Sequence, residues 1–409
     1  MTEARQEAAP GRLAVLRLTL SRFRGYEGLR MELDPRPVVL TGPNGAGKTN
    51  LLEAVSFLAP GRGLRRARLS EVETIVATPA GEAAGAPAGA AGEVAGWAVA
   101  ARVETPLGPV DIGTGRDGAS AEAAERRQVR IDGQPVRGQM ALAEHFAVVW
   151  LTPQMDRLFV EGTGGRRRFL DRLVFGFDPA HAGRLNRYET ALRERARLLR
   201  DARSGARSGG RAEDAWLSAI ENEMATTGVA VAAARRDVVA RLQAAADQGL
   251  GPFPQAELAV AGAVEDWLAG SPALAVEDGL RGRLAEERRR DALTGSTSVG
   301  PHRSDLVVRH RAKGMPAGLC STGEQKALLV SIVLANARLV AAARGAAPVM
   351  LLDEVAAHLD AERRSALFAE ILGLGAQAWM TGTDAGVFAE LGDRVGAFGV
   401  EDASVTPAR

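Results

Sequence analysis

The chain has 409 residues, of which 46% are hydrophobic and 25% charged, so it holds enough apolar material for two or three structural units and is not a disordered tail. Its 51 basic and 50 acidic residues leave a formal charge of +1, which excludes a global polycation and makes any nucleic-acid surface a local one. A single cysteine, Cys320, excludes a disulfide framework and a multi-cysteine zinc site, and the five histidines lack HExxH spacing.

In chain order, residues 13–20 (LAVLRLTL) alternate apolar and polar and predict a strand, RFRGYEG a turn, and MELDP a second strand. PVVLT at 37–41 is a short apolar run ending at a glycine-rich loop, after which NLLEAVSFLA has helical periodicity up to Pro60-Gly61. Residues 77–96 are low-complexity Ala and Gly with two prolines, expected as a flexible surface loop inside a β region. Short strands follow at 97–112 and 128–132, with Asp132-Gly133 as a hairpin turn, and FAVVWLTP at 146–153 reads as a buried strand.

From Arg166 the spacing becomes helical over two long stretches joined by SGARSGGR at 204–211, which predicts an antiparallel helical hairpin. A strand-like stretch at 256–262 and the charged helix RLAEERRRD come next. From about Leu293 strands at 305–310, 348–352 and 376–381 alternate with helices at 321–343 and 361–372. The expected fold is α/β: a mostly parallel sheet, interrupted by a helical insertion and then resumed, in segments 1–165, 166–292 and 293–409. No run of ~18 or more apolar residues is present and MTEARQEAAPGR lacks a signal peptide's apolar stretch, so a soluble cytoplasmic protein is expected, with no membrane partner.

Gly42-Pro43-Asn44-Gly45-Ala46-Gly47-Lys48-Thr49 matches GxxxxGK[ST] at every position, between an apolar strand and a helix start that runs on through Asn50. Glycines let the backbone point several N–H groups at phosphate oxygens, and the helix start adds its positive dipole end. Lys48 is one of three lysines, with Lys313 and Lys326, in a chain whose other cations are arginine. Arginine and lysine differ in geometry, so a lysine in such a chain marks a place where arginine is a poor substitute. Lys48 can reach the β- and γ-phosphates of ATP, and the Thr49 hydroxyl can ligate Mg²⁺. PVMLLDEV at 348–355 is an apolar strand ending in two carboxylates: Asp353 suits Mg²⁺, and Glu354 suits a general base acting on the attacking water. Ser321-Thr-Gly323-Glu-Gln-Lys326 precedes a long helix and forms either a second anion site or an ordinary N-cap.

This order of motifs resembles ATPases of the ABC type, in which the signature serine of one subunit completes the ATP site of the other. Gly42 and Ser321 lie 279 positions apart, further than in ABC transporter subunits. With LRLTLSRFRGYEGL, GPNGAGKTNLLEAV, LTPQMDRLFVEGTGGRRRFLD, GPHRSDL, STGEQKALLVSIVLA and LLDEVAAHLDAERR, the chain resembles the RecF family of bacterial recombination mediators, relatives of the SMC proteins, over nearly all of 13–385. The resemblance implies an ABC-type P-loop ATPase head with an inserted helical arm. It implies weak, DNA-stimulated ATP hydrolysis used as a switch, and an ATP-dependent homodimer that closes on duplex DNA near single-strand gaps. It also implies RecR, RecO and RecA as partners. Gln154 matches the glutamine that senses Mg²⁺ and water, and Ser321 and Asp360 match residues at the dimer seam. Asp360 is equally a helix N-cap. Arg24 and Tyr26 either meet the nucleotide or form a turn with a buried aromatic. His302 and Arg303 match a family motif and are expected near the phosphate site or the dimer seam. The signature carries Glu324 where ABC proteins have glutamine, and their switch histidine is replaced by Thr381 or Thr383 in TGTD.

Between 166 and 211 there are 13 arginines and 5 acidic residues. Such a run is either a solvated helix face or a sequence-independent DNA surface. Arg166, Arg167, Arg168, Arg193, Arg195, Arg197 and Arg200 are the candidates for contact with DNA. Two alternatives share these motifs: a transporter-type ATPase subunit, and a DNA-binding scaffold whose ATP site only stabilises the fold.

Overall fold

In the computed structural model, which describes residues 11–73, 96–116, 127–203 and 211–408, the chain forms two compact units, Met1–Met155 with Ala337–Arg409 and Asp156–Asn336. Nearly all of the low-complexity segment at 77–96, and of the connection at 204–211, lies outside the described residues. The first unit contains β1 (Ala14–Phe23), β2 (Tyr26–Glu32), β3 (Val38–Thr41), α1 (Lys48–Ser56), β4 (Ala98–Thr105), β5 (Gly108–Gly115), β6 (Gln128–Ile131), β7 (Gln134–Val136), α2 (Leu142–His145) and β8 (Val148–Leu151). The second contains α3 (Thr163–Phe175), α4 (His181–Arg203), α5 (Arg211–Ala246), β9 (Ala256–Ala261), α6 (Ala263–Gly270), α7 (Ala273–Glu286), α8 (Arg288–Thr294), β10 (Asp305–His310), β11 (Met315–Pro316) and the start of α9 (Thr322–Arg344). The chain then returns to the first unit for β12 (Val349–Leu352), α10 (Ala361–Gly373), β13 (Ala378–Gly382), β14 (Gly396–Glu401) and β15 (Ser404–Pro407).

β1 is a half-buried strand: Leu18 and Leu20 alternate inward, and Val15 and Phe23 are buried too, on either side of a register shift at Val15/Arg17 and a left-handed Arg22. It lies in an antiparallel sheet ordered β2-β1-β4-β5-β6-β7. The Asp132-Gly133 turn joins β6 to β7 with φ of +50° and +78°, the left-handed pair that a two-residue hairpin needs. The second sheet is ordered β15-β14-β3-β13-β12-β8; all its pairs are parallel except β14 with β15. Buried on both faces, β3, β12 and β13 are continuous apolar runs. This sheet brings the ends of β3, β13 and β12 side by side, and that placement builds the site.

The second unit departs from the expected helical hairpin. The first helical stretch is two helices, because Pro179 lacks the N–H to continue one and disfavours helical backbone at Asp178. Asp178 instead starts the next helix, its side chain accepting from the Ala180 N–H at 3.1 Å. Tyr188, Leu198 and Leu199 of α4 share one core with Leu217, Ile220, Met224 and Val229 of α5 and with Val276, Leu280 and Leu284 of α7. The boundary expected at 293 is also corrected. β10 pairs antiparallel with β9, with Leu306 opposite Val260, so 293–320 stays with the helical unit and Ser321 belongs to it.

α9 is long and apolar enough to cross a bilayer, with a mean hydropathy of 1.7, but 67% of its apolar window is buried inside the protein, as in a core helix.

Candidate nucleotide site

The loop between β3 and α1 is bent by glycines that no other residue replaces. Gly42, Gly45 and Gly47 have φ of +150°, +84° and +111°. A Cβ at Gly42 would stand 2.0 Å from the Val400 carbonyl oxygen, and one at Gly47 would stand 2.7 Å from the Tyr26 hydroxyl. Tyr26 is buried and donates to the Gly47 carbonyl at 3.3 Å; burial raises its pKa, so the phenol stays protonated. Lys48 is buried at the first position of α1, and its Nζ donates to the carbonyls of Gly42 at 2.6 Å and Pro43 at 2.8 Å. Desolvation lowers its pKa, while the charges of Glu354 and Asp353 oppose that shift. The loop is curled around its own ammonium group, with Pro43, Asn44 and Gly45 exposed and Ala46 buried beneath them.

Thr49 lies one residue further along α1. Its hydroxyl is 3.0 and 3.1 Å from the two carboxylate oxygens of Asp353, which is buried at the end of β12. The Asp353 N–H donates to the Leu151 carbonyl of β8 at 2.9 Å, so the carboxylate leaves the sheet from a fixed backbone. Glu354 follows with φ of +55°, left-handed in a non-glycine residue, and is half-buried. Thr381, at the end of the adjacent strand β13, accepts from the Glu354 N–H at 2.9 Å and donates to Asp353 Oδ1 at 2.8 Å. Gln154 lies exposed on the short 3-10 turn Pro153–Arg157, just beyond β8. Lys48 and Thr49 at the start of α1 are thus brought beside Asp353 and Glu354 at the end of β12.

Arg24 is placed otherwise than expected. Its Nε and one terminal nitrogen hold the Glu53 carboxylate at 2.9 and 2.8 Å, and the other donates to the Glu71 carbonyl at 2.7 Å. Glu53 is fully buried in α1, so this bidentate pair anchors the helix that carries Lys48 and Thr49. Arg65 adds a bond to the Asn50 side-chain oxygen at 2.8 Å. Arg127 donates to the carbonyls of Phe57, Ala59 and Gly61, past the C-terminus of α1, where a cation complements the helix dipole. Burial lowers its pKa to about 9. Glu53 lies within GPNGAGKTNLLEAV but was given no role there, and Arg127 lies in no motif.

In the second unit Ser321 caps α9. Its hydroxyl donates to Glu324 Oε2 at 3.0 Å and accepts from the Glu324 N–H at 3.4 Å, while the Ser321 N–H donates to the same carboxylate at 3.1 Å. This reciprocal capping box accounts for a glutamate at position 324. Lys313 closes an ion pair with Glu324, and its bond, followed by those from Ser321, holds the carboxyl at about 2. Gly323 is exposed in the first turn of α9. Lys326 is buried and paired with Asp156 at 3.2 Å. In the first unit Asp360 caps α10, accepting from the Arg363 N–H at 2.9 Å.

The arginine candidates divide. Arg195 is fully buried: it bonds Glu221 at 2.9 Å, Asp291 at 2.7 Å, Thr297 at 3.0 Å and the Leu284 carbonyl at 2.7 Å, so it is not a DNA contact. Arg166 is committed to a bidentate pair with Asp305 at 2.8 and 2.9 Å, and Arg167 to Thr163 and the Ser304 carbonyl at 2.7 and 2.8 Å. Arg168, Arg193, Arg197 and Arg200 are exposed. GPHRSDL at 300–306 is bonded to three helices of the second unit. Arg235 of α5, itself paired to buried Asp171, donates to the Pro301 carbonyl at 2.6 Å; Tyr188 of α4 bonds His302 at 2.7 Å; Ser304 donates to Glu265 of α6 at 2.6 Å.

Residues 14–405 match the model of the RecF/RecN/SMC N terminal domain family. The chain is similar to the "DNA replication and repair protein RecF" of Mesorhizobium japonicum, 48% identical over 400 residues, with 97% of this chain and 99% of the relative covered. It is 49% identical over 387 residues to the protein of that name from Rhizobium meliloti, covering 94% of this chain and 96% of the relative. Its fold is like that of a solved structure described as the recombination mediator protein RecF-ATP in the RecFOR pathway: TM-score 0.80, 21% identity, 99% of this chain and 100% of that chain covered. On the family match and the near-full-length relatives together, the chain belongs to the RecF family.

Proposed function

We propose that this chain is an ATP-operated DNA clamp of replication and recombinational repair. The observation that carries the reading is the convergence of Thr49 and Asp353, 3.0 Å apart, beside a lysine held in a glycine-bent loop. Loop N–H groups and Lys48 bind the triphosphate tail of ATP, and the amino end of α1 favours the same negative charge. Thr49 and Asp353 are the right donors, one hydroxyl and one carboxylate, to hold Mg²⁺, with Gln154 from beyond β8. Mg²⁺ supplies neutralisation of charge on the phosphate oxygens when bound. Glu354 accepts the proton of the attacking water.

Ser321 and Gly323 of a second copy complete the pocket, with Asp360 at the seam, and the closed pair encloses duplex DNA beside a single-strand gap. Hydrolysis is weak, stimulated by DNA, and reopens the clamp. The exposed arginines Arg168, Arg193, Arg197 and Arg200 neutralise phosphates without reading sequence. The RecFOR pathway named for the solved structure supports a place beside RecO and RecR, and the family resemblance extends this to RecA loading in the cytoplasm. The test is binding to a gapped duplex by wild type and Lys48→Ala, with and without ATP, at two salt concentrations. ATP is expected to tighten wild-type binding about tenfold or more and to leave Lys48→Ala unchanged. Equal binding by both proteins in ATP contradicts the reading.

A further inference from the structure

We infer that Thr381 is a positioning residue that sets both acids of the site, the metal-binding carboxylate directly and the general base through its backbone. The inference rests on the proposed nucleotide reading and assigns one of the two threonines that stand where ABC proteins carry a histidine.

Register brings the groups together. β12 and β13 run parallel with Leu352 opposite Met380, so Asp353 and Thr381 are the next residues on adjacent strands. Thr381 is 1% exposed. A hydroxyl has one hydrogen to give, and here its use is decided. Because the oxygen receives the Glu354 N–H at 2.9 Å, the hydrogen is directed to Asp353 Oδ1 at 2.8 Å. One oxygen thereby ties the rotamer of Asp353 to the main chain of Glu354. It does so where that main chain needs support, at φ of +55° in a residue with a side chain.

Thr49 meets the same carboxylate from α1, at 3.0 Å from Oδ1 and 3.1 Å from Oδ2. Asp353 is therefore oriented from both sides, by a hydroxyl on the phosphate-loop helix and by one on the neighbouring strand. Thr383, two residues on, is exposed. Thr381 acts on the two acids. Removing its hydroxyl leaves a buried N–H and a buried carboxylate oxygen each short of a partner, and lets Asp353 turn away from the geometry that suits a metal.

The test compares wild type, Thr381→Val, Thr381→Ser and Thr383→Val. Affinity for a fluorescent, slowly hydrolysed ATP analogue is measured in EDTA and in Mg²⁺, together with kcat and KM for ATP and the melting temperature without nucleotide. In EDTA all four proteins are expected to bind alike. Thr381→Val loses about tenfold of the affinity gained on adding Mg²⁺ and about 100-fold in kcat, the size of the defect when a hydrogen-bond partner of a metal ligand is removed. Thr381→Ser, which keeps the hydroxyl, and Thr383→Val stay within about threefold of wild type on the same scale. If Thr381→Val does not fold, Thr381→Cys, close in size but a weak donor, takes its place. A wild type that responds to Mg²⁺ and hydrolyses ATP, alongside a Thr381→Val that does both equally well, overturns the inference and leaves the nucleotide reading standing. A wild type that neither responds to Mg²⁺ nor hydrolyses ATP overturns both.

Discussion

His302 donates from Nε2 to the Thr297 carbonyl at 3.0 Å, which leaves Nδ1 to accept from the Tyr188 hydroxyl at 2.7 Å, so the fold selects the neutral ring. Desolvation is the main cause of its pKa falling to about 4; Arg303 and Arg167 push the same way, while the Thr297 bond and Asp291 oppose. The folded pKa lies below the unfolded value, near 6.5. As pH falls from about 6.5 towards 4, the unfolded chain takes up a proton that the folded chain refuses. The contribution is therefore whole above that window and is lost on descending through it. Urea midpoints at pH 7 and pH 5 should differ more for wild type than for His302→Gln, whose side chain has no charge to gain. An equal pH dependence in the two proteins contradicts the assignment. The same residue marks a limit of sequence reading: GPHRSDL was visible as a motif, but its partners Tyr188, Arg235 and Glu265 come from three helices, and no spacing in the chain announces them.

At the scale of elements, α4 shows why a count of charges does not define a surface. Arg193, Arg195 and Arg197 alternate along one helix, and residues two apart lie on different faces. Arg195 turns inward to Glu221 and Asp291, while its neighbours face outward. Arg195→Ala takes the arginine from buried Asp291 and leaves Glu221 to Arg288 alone, and is expected to cost about 3–5 kcal/mol of stability, read by urea unfolding. Replacing Arg193, Arg197 and Arg200 together by glutamine should leave stability nearly unchanged. On DNA it should weaken binding and reduce the slope of log K against log salt by about 2–3, since each neutralised phosphate contributes about 0.9. A slope equal to wild type contradicts a role for this face.

The strand–loop–helix at 37–59 was legible because each step is local: an apolar run, glycines at positive φ, then helical periodicity. The acids at 353–354 were legible for the same reason. β14 and β15 were not, because GAFGVE and SVTP have little alternation: β14 owes its pairing to β3, more than 350 residues earlier in the chain, and β15 pairs in turn with β14. The Arg24 pair was not legible, because its partner Glu53 lies 29 residues away on α1. Within the helical unit, the break at Asp178-Pro179 was written in the chain but outweighed by apolar spacing that continues on both sides.

At the scale of the whole molecule, ATP chemistry and the helical arm belong to one functional idea only if two copies meet. Ser321, Gly323 and the capping box with Glu324 belong to the second unit, and Lys48, Thr49, Asp353 and Glu354 to the first. In the proposed clamp the other half of the pocket comes from a partner chain, and hydrolysis sets how long the pair stays closed. Sedimentation velocity of Glu354→Gln, which binds ATP but cannot activate water, tests this most directly, beside Lys48→Ala and Ser321→Arg in the same background. ATP should shift Glu354→Gln from one chain's mass to twice that mass, while both double variants stay single. A Glu354→Gln protein that remains a single chain in saturating ATP, or a Ser321→Arg variant that pairs as readily, contradicts the account.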